Sequence, residues 1–337
     1  MAEKSMLFSI LRLLGLMALC GVWGCPDARA DSWQAGVVRL PFQDAAGQAN
    51  ALVWYPSPAS EAPWQVGPFQ INASQDAPLA QGRFPVVLLS HGRRGTPLSH
   101  RDLAAHLARE GFIVVAPTHL GDAASQPLEN DQVRVLINRP RQAIAALNAA
   151  LGDARFSGHA DTGRIGMVGY SAGGYTALIV AGAKPDFARA SAYCAAEGLG
   201  DGGSCMTWAD HTGGASTLAS WKPPTEPRLK ALVLLDPLAI MFDAAGLVSL
   251  RMPVLLYRPQ DDTYMKATGN ALALARNLPL APQEAVAPGR HFVFLNPCPP
   301  QIAAEQALLC QDAAGIDRVA IHREMEKTIA AFLKRSL

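Results

Sequence analysis

The sequence has almost no net charge: 29 Lys and Arg stand against 28 Asp and Glu, a formal balance of +1. No long-range field therefore draws the chain to nucleic acid or to an anionic membrane, and a neutral small molecule is the expected partner. Charged residues make up only 17% of the 337 residues and hydrophobic ones 50%, which excludes a disordered composition and supplies a packed core. There is no internal repeat, no low-complexity block and no collagen or coiled-coil pattern. No C-x-x-C or H-x-x-x-H spacing accompanies the cysteines, so a zinc site is not expected. A long hydrophobic run is missing too. The apolar stretch from Leu13 to Trp23 follows Arg12 and is shorter than the roughly 20 residues a bilayer span needs.

That stretch has another reading. Lys4 and Arg12 supply positive charge ahead of it, and Ala28-Arg29-Ala30 is an A-x-A cleavage site, so residues 1–30 read as a secretory signal with the mature chain starting at Asp31. The product would be periplasmic or secreted. A minor alternative is lipidation at Cys25, since Val22-Trp23-Gly24-Cys25 loosely resembles a bacterial lipobox. Removing the signal takes Cys20 and Cys25 with it and leaves Cys194, Cys205, Cys298 and Cys310, an even set in an oxidising compartment. Two disulfides are expected, Cys194 with Cys205 and Cys298 with Cys310, each stapling one Pro/Gly-rich excursion.

Along the mature chain the hydrophobic period changes once. Val37 to Leu40 and Ala51 to Tyr55 flank Asp44-Ala45-Ala46-Gly47 and predict an antiparallel edge hairpin. Pro56 to Arg83 reads as a surface loop. From there buried strands alternate with helices: strands at Phe84–Ser90, Phe112–Pro117, Arg164–Gly169, Lys230–Leu235 and Val254–Tyr257, and helices from Ser99, Arg141, Ala172, Ala267 and Asp317. This is the pattern of a doubly wound α/β domain over residues 31–337, with a mostly parallel central sheet covered by helices on both faces. The segment 185–227 interrupts the rhythm and is a candidate cap or lid.

The chemistry centres on Gly169-Tyr170-Ser171-Ala172-Gly173. Composition alone would produce a G-x-S-x-G about once in eight such chains, so its weight comes from context: an apolar strand precedes it and an Ala-rich helix follows. Ser171 is the candidate nucleophile, with capping of the following helix as its plain structural role. A serine hydroxyl needs a base and an orienting acid. His291, in the Pro/Gly loop Ala287 to Phe292 downstream of the last predicted strand, is the expected base. His119 and His322 are less well placed, and His100, His106, His159 and His211 read as surface or helix-face residues. Asp262 and Asp236 each follow a strand and keep the order Ser, Asp, His. The backbone N–H groups of Ala172 and Arg93 are the expected oxyanion donors. Arg93, Arg94 and Arg101 near the mouth read as a solvated rim, with contact to an anionic group of the substrate as the alternative.

Phe84 to Gly92, Glu110 to Pro117, Gly169 to Gly174 and Gly289 to Cys298 together resemble the α/β-hydrolase superfamily, and within it the bacterial dienelactone hydrolase-like proteins related to platelet-activating factor acetylhydrolase. The resemblance implies an α/β-hydrolase fold and a cofactor-free serine hydrolase of carboxylic esters. For the acid it points both ways. The acetylhydrolase pattern puts it at Asp236, whereas the dienelactone hydrolase pattern matches Asp262 followed by Asn270-Ala271, and Asp262 is favoured here. True dienelactone hydrolases use a cysteine nucleophile, so the cyclic lactone is not implied as substrate. Two other functions compete: a lipid or polyester hydrolase whose lid is 185–227, and a binding protein that keeps the fold without the chemistry. Oligomeric state is not legible.

Overall fold

The computed structural model describes residues 33–129, 132–205 and 221–337. The expected signal with Cys20 and Cys25, His211, and residues 206–220 of the expected cap lie outside these. The described residues from Trp33 onward form one compact unit.

The chain opens with β1 (Gln34–Asp44) and β2 (Gly47–Ser57), which pair antiparallel around Asp44 to Gly47 as the alternating pattern predicted. The following segment differs from the expected loop. It carries β3 (Trp64–Val66) and β4 (Phe69–Ile71), which pair with each other, and the two-residue β5 (Ser74–Gln75), which adds to β1. Ile71, Ala73 and Ala80 are buried, so this segment covers the sheet margin despite its polar composition.

Then the parallel strands begin: β6 (Phe84–Ser90), β7 (Ile113–Pro117), β8 (Ala160–Tyr170), β9 (Leu229–Leu235), β10 (Val254–Pro259) and β11 (Gln283–Ala287). The sheet order is β11-β10-β9-β8-β6-β7-β2-β1-β5. The chain runs outward from β6 to β7, then returns to the other side of β6 with β8. A crevice opens at such a switch point, beyond the carboxyl ends of the strands. The polar β11 escaped the sequence reading because its alternation is too weak to mark it as a strand.

Alternation along each strand builds two cores. Val86, Leu88, Met167, Leu232, Leu234 and Leu256 point to one face, where the helices α2 (Gln132–Gly152) and α3 (Ala172–Val180) cover them. Val87, Leu89, Val168, Val233 and Leu255 point to the other, under α1 (Arg101–Arg109) and the C-terminal helix Arg318–Ser336. Period-two burial on both faces is what near-continuous apolar strands require. The helix α2 starts nine residues before the expected Arg141, running through Pro140. Both expected disulfides are present, Cys194–Cys205 and Cys298–Cys310. Among the described residues no helix is long and apolar enough to cross a membrane.

Candidate active site

Ser171 joins β8 to α3 with φ +55°, a left-handed conformation that a non-glycine residue adopts only at a cost. The glycines around it make the bend possible. A Cβ at Gly169 would lie 2.2 Å from the Gly173 carbonyl oxygen, and one at Gly173 would lie 2.0 Å from the Ser90 carbonyl oxygen. Both are far inside contact distance, so the strand and helix can approach only without side chains there. Backbone bonds pin the turn: Ser171 N donates to Leu235 O at 3.0 Å and Leu238 N donates to Ser171 O at 3.0 Å.

The expected base is within reach. His291 Nε2 lies 3.1 Å from Ser171 Oγ, and its Nδ1 lies 2.5 Å from Asp236 Oδ2. The sequence reading favoured Asp262 as the partner of His291, and the hydrogen bond is made by Asp236 instead. Asp236 follows β9, the strand beside the one that carries Ser171, whereas Asp262 follows β10, one strand further out. The Oδ1 of Asp262 is spent on the backbone N–H groups of Tyr264 and Met265, each at 2.9 Å. Asp236, Asp262 and His291 nonetheless form one cluster, their potential ligand atoms all within 4.8 Å of one another. These are the described residues that could together offer three atoms to a metal ion.

Burial governs the charges. His291 is pulled down to about 4 by desolvation, against the opposing charges of Asp262 and Asp201, so its imidazole is neutral and able to accept a proton at neutral pH. Asp236 is pushed up to about 7, again chiefly by desolvation. Two rings hold the imidazole in place: Tyr170 and Tyr264 lie on it with centroids 5.0 Å away and interplanar angles of 30° and 31°. Tyr170 also donates its hydroxyl to the His291 carbonyl oxygen at 3.2 Å. Neither tyrosine was singled out from the sequence, although Tyr170 stands inside the serine motif.

The loop after β6 packs against the serine. A Cβ at Gly92 would lie 2.8 Å from the Tyr170 ring and 3.3 Å from Ser171 Cβ, and the adjoining Arg93 lines the same pocket as Ser171. Ala172, the other expected donor, is the first residue of α3, where backbone N–H groups have no helical acceptor and the helix dipole favours negative charge. A buried network that sequence reasoning missed supports this loop. Arg139, fully buried in α2, pairs with Asp122 at 2.5 Å, donates to Thr176 Oγ1 at 3.0 Å, and reaches Ser90 Oγ and the His91 carbonyl oxygen. His119 Nε2 bonds Ser90 Oγ at 2.8 Å. No spacing rule marks such an arginine, because its partners come from three separate segments. His91, His119, His322 and also His100, expected at the surface, are all buried.

The pocket at Ser171 is lined by Arg93, Leu136, Leu238, Tyr264, Met265 and Gly203. Met265 Sδ stands 3.8 Å from Ser171 Oγ. One guanidinium nitrogen of Arg93 is buried without a hydrogen-bond partner, while Arg101 is engaged with the Gln70 and Pro297 carbonyl oxygens.

The chlorophyllase family model matches residues 70–195, a stretch that holds the serine motif and ends before Asp236 and His291. No curated protein sequence matches the chain. Among solved structures, a ferulic acid esterase from Streptomyces cinnamoneus is similar with a TM-score of 0.59 and 18% identity, over 93% of this chain and 92% of that one. A dienelactone hydrolase-like promiscuous phosphotriesterase from metagenomic libraries is similar with a TM-score of 0.52 and 13% identity, over 90% of this chain and 99% of that one. With a serine on a strand-to-helix turn, a switch-point crevice and these likenesses together, the chain carries the α/β-hydrolase fold.

Proposed function

We propose that the protein hydrolyses carboxylic esters through an acyl-enzyme formed on Ser171. The observation that carries this reading is the continuous line of hydrogen bonds from Ser171 Oγ through His291 to Asp236, at 3.1 and 2.5 Å. In the proposed reaction His291 Nε2 takes the hydroxyl proton as Ser171 Oγ attacks the ester carbonyl. The imidazolium is stabilised by the Asp236 carboxylate and returns the proton to the leaving alcohol. Water then repeats the sequence on the acyl-enzyme. The N–H groups of Ala172 and Arg93 hold the oxyanion, a single such donor being worth about 3 kcal/mol.

Met265 beside the nucleophile leaves little room, which supports short acyl groups over long ones. The helix Gly202–Cys205 belongs to the proposed cap 185–227, and its Gly203 lines the pocket. Two disulfides support an oxidising compartment, in keeping with export. Short p-nitrophenyl esters and a fluorophosphonate probe test the reading. Ser171→Ala is expected to lose both turnover and labelling while its thermal melt stays cooperative; a variant that still turns over substrate at the wild-type rate would sink the proposal.

A further inference from the structure

Two carboxyl groups, not one, stand behind His291, and their hydrogen bonds do not close unless one of them is an acid. Asp236 Oδ2 is used by His291 Nδ1. Asp262 Oδ1 is used by Tyr264 N and Met265 N. The remaining oxygens, Asp236 Oδ1 and Asp262 Oδ2, are both buried and have no partner as carboxylates. Burying two such oxygens unpaired, with like charges side by side, is costly on both counts. A single proton between them removes both costs.

We propose that Asp262 is a positioning residue of this site, carried as the neutral acid, whose Oδ2–H donates to Asp236 Oδ1 and holds that carboxylate against His291. The proposal deepens the hydrolase reading and rests on it. The proton belongs on Asp262 because Asp236 must remain a carboxylate to accept from Nδ1–H and to stabilise the imidazolium. The electrostatics agree. Asp262 is pushed up to about 8, by desolvation first and then by the Asp236 charge, above the value of about 7 for Asp236.

The groups facing the pair come from every neighbouring segment. Asp201 raises Asp236 and Arg258 of β10 lowers it, while His291 lowers Asp262. Tyr170 and Tyr264 stay protonated at neutral pH, held up mainly by burial, with Arg318 acting on Tyr170 and Arg93 and Arg94 on Tyr264. The same acid thereby organises the roof of the site. Through its Oδ1 it fixes the backbone of Tyr264, whose ring lies on His291, and of Met265, whose sulfur meets Ser171.

Asp262→Asn keeps both halves of this geometry, since its amide accepts from the two N–H groups and donates to Asp236. It is expected to hold kcat at neutral pH within about threefold of wild type, whereas Asp262→Ala lowers kcat about ten- to a hundredfold with little change in KM. Wild-type kcat is expected to fall as pH rises through about 8, when the acid ionises beside Asp236, and Asp262→Asn to lack that fall. An infrared difference spectrum between neutral and alkaline pH reads the proton without any substrate: besides the band of Glu326, wild type shows a protonated-carboxyl C=O band titrating at about 8 that Asp262→Asn lacks. If Asp262→Asn is as impaired as Asp262→Ala, or if the band titrating at about 8 persists in it, the proposal is overturned. Should Asp262→Ala not fold, the Asn variant and the spectrum still decide. Should Ser171→Ala retain turnover, the hydrolase reading fails while the infrared band continues to report on the pair.

Discussion

At the scale of single residues, the proposed function rests on two residues whose backbones are held in unusual conformations. Ser171 keeps a left-handed backbone, and Asp236, at φ +42°, does the same at the end of β9. Strain of this kind costs on the order of 1–3 kcal/mol per residue and persists only where the surroundings over-determine it. Here the mutual bonds of Ser171, Leu235 and Leu238 do so. Asp236→Asn keeps that geometry but presents the wrong hydrogen-bonding partner to His291 Nδ1, and kcat toward short esters is expected to drop by about 10⁴. A loss below tenfold would show that Asp236 does not orient the base.

Between elements, the decisive joint is the one from α2 to the loop after β6. Arg139 ties Asp122, Thr176, Ser90 and the His91 carbonyl oxygen together with no exposed surface of its own. Removing one partner of a buried pair leaves the other charge unpaired, a cost of about 3–5 kcal/mol. Arg139→Leu is therefore expected to lower the unfolding free energy in urea by that amount, and to reduce kcat as the Arg93 N–H loses its place. Replacing Asp122 by Asn in the same chain should restore part of the stability. A single variant as stable as wild type would mean that the network contributes nothing. The helix runs nine residues ahead of the expected start at Arg141 and through Pro140, the packing of α2 outweighing the hydrogen bond that a proline removes.

For the molecule as a whole, buried titratable groups set the pH range of stability. His91, His100, His106, His119, His291 and His322 are all held below the usual histidine value, desolvation being the largest cause in each. In the unfolded chain they protonate near pH 6.5, so the unfolded state binds more protons below that pH, and the stability present above it is lost as pH falls. Asp236, Asp262 and Glu326 act in the opposite sense. Raised to about 7, 8 and 7, they favour the native state at low pH and cost stability as pH rises through those values. The six histidines outweigh the three carboxyls on the acid side, and the carboxyls act alone above pH 6.5. Calorimetry should find the highest Tm near pH 6.5, lower at pH 5 and again at pH 8.5; a Tm that rises steadily toward acid would contradict this assignment.

Much of this was readable along the chain. The alternation of apolar runs with helices, the glycines around Ser171 and both cysteine pairs depend on neighbours a few residues away, and local sterics and periodicity are written in order; His291, expected in a loop, opens the short 3-10 helix His291–Phe294. The polar edge strand β11, the covered margin at β3 to β5 and the Arg139 network were not, because what stabilises them lies in distant segments. The choice of acid is the sharpest case. Asp236 and Asp262 each follow a strand and look equivalent in order; only the lateral arrangement of β8, β9 and β10 puts one carboxylate against the imidazole and leaves the other behind it. Hydrogen bonding is directional and acts over about 3 Å, so which of two like groups makes the bond is settled in space.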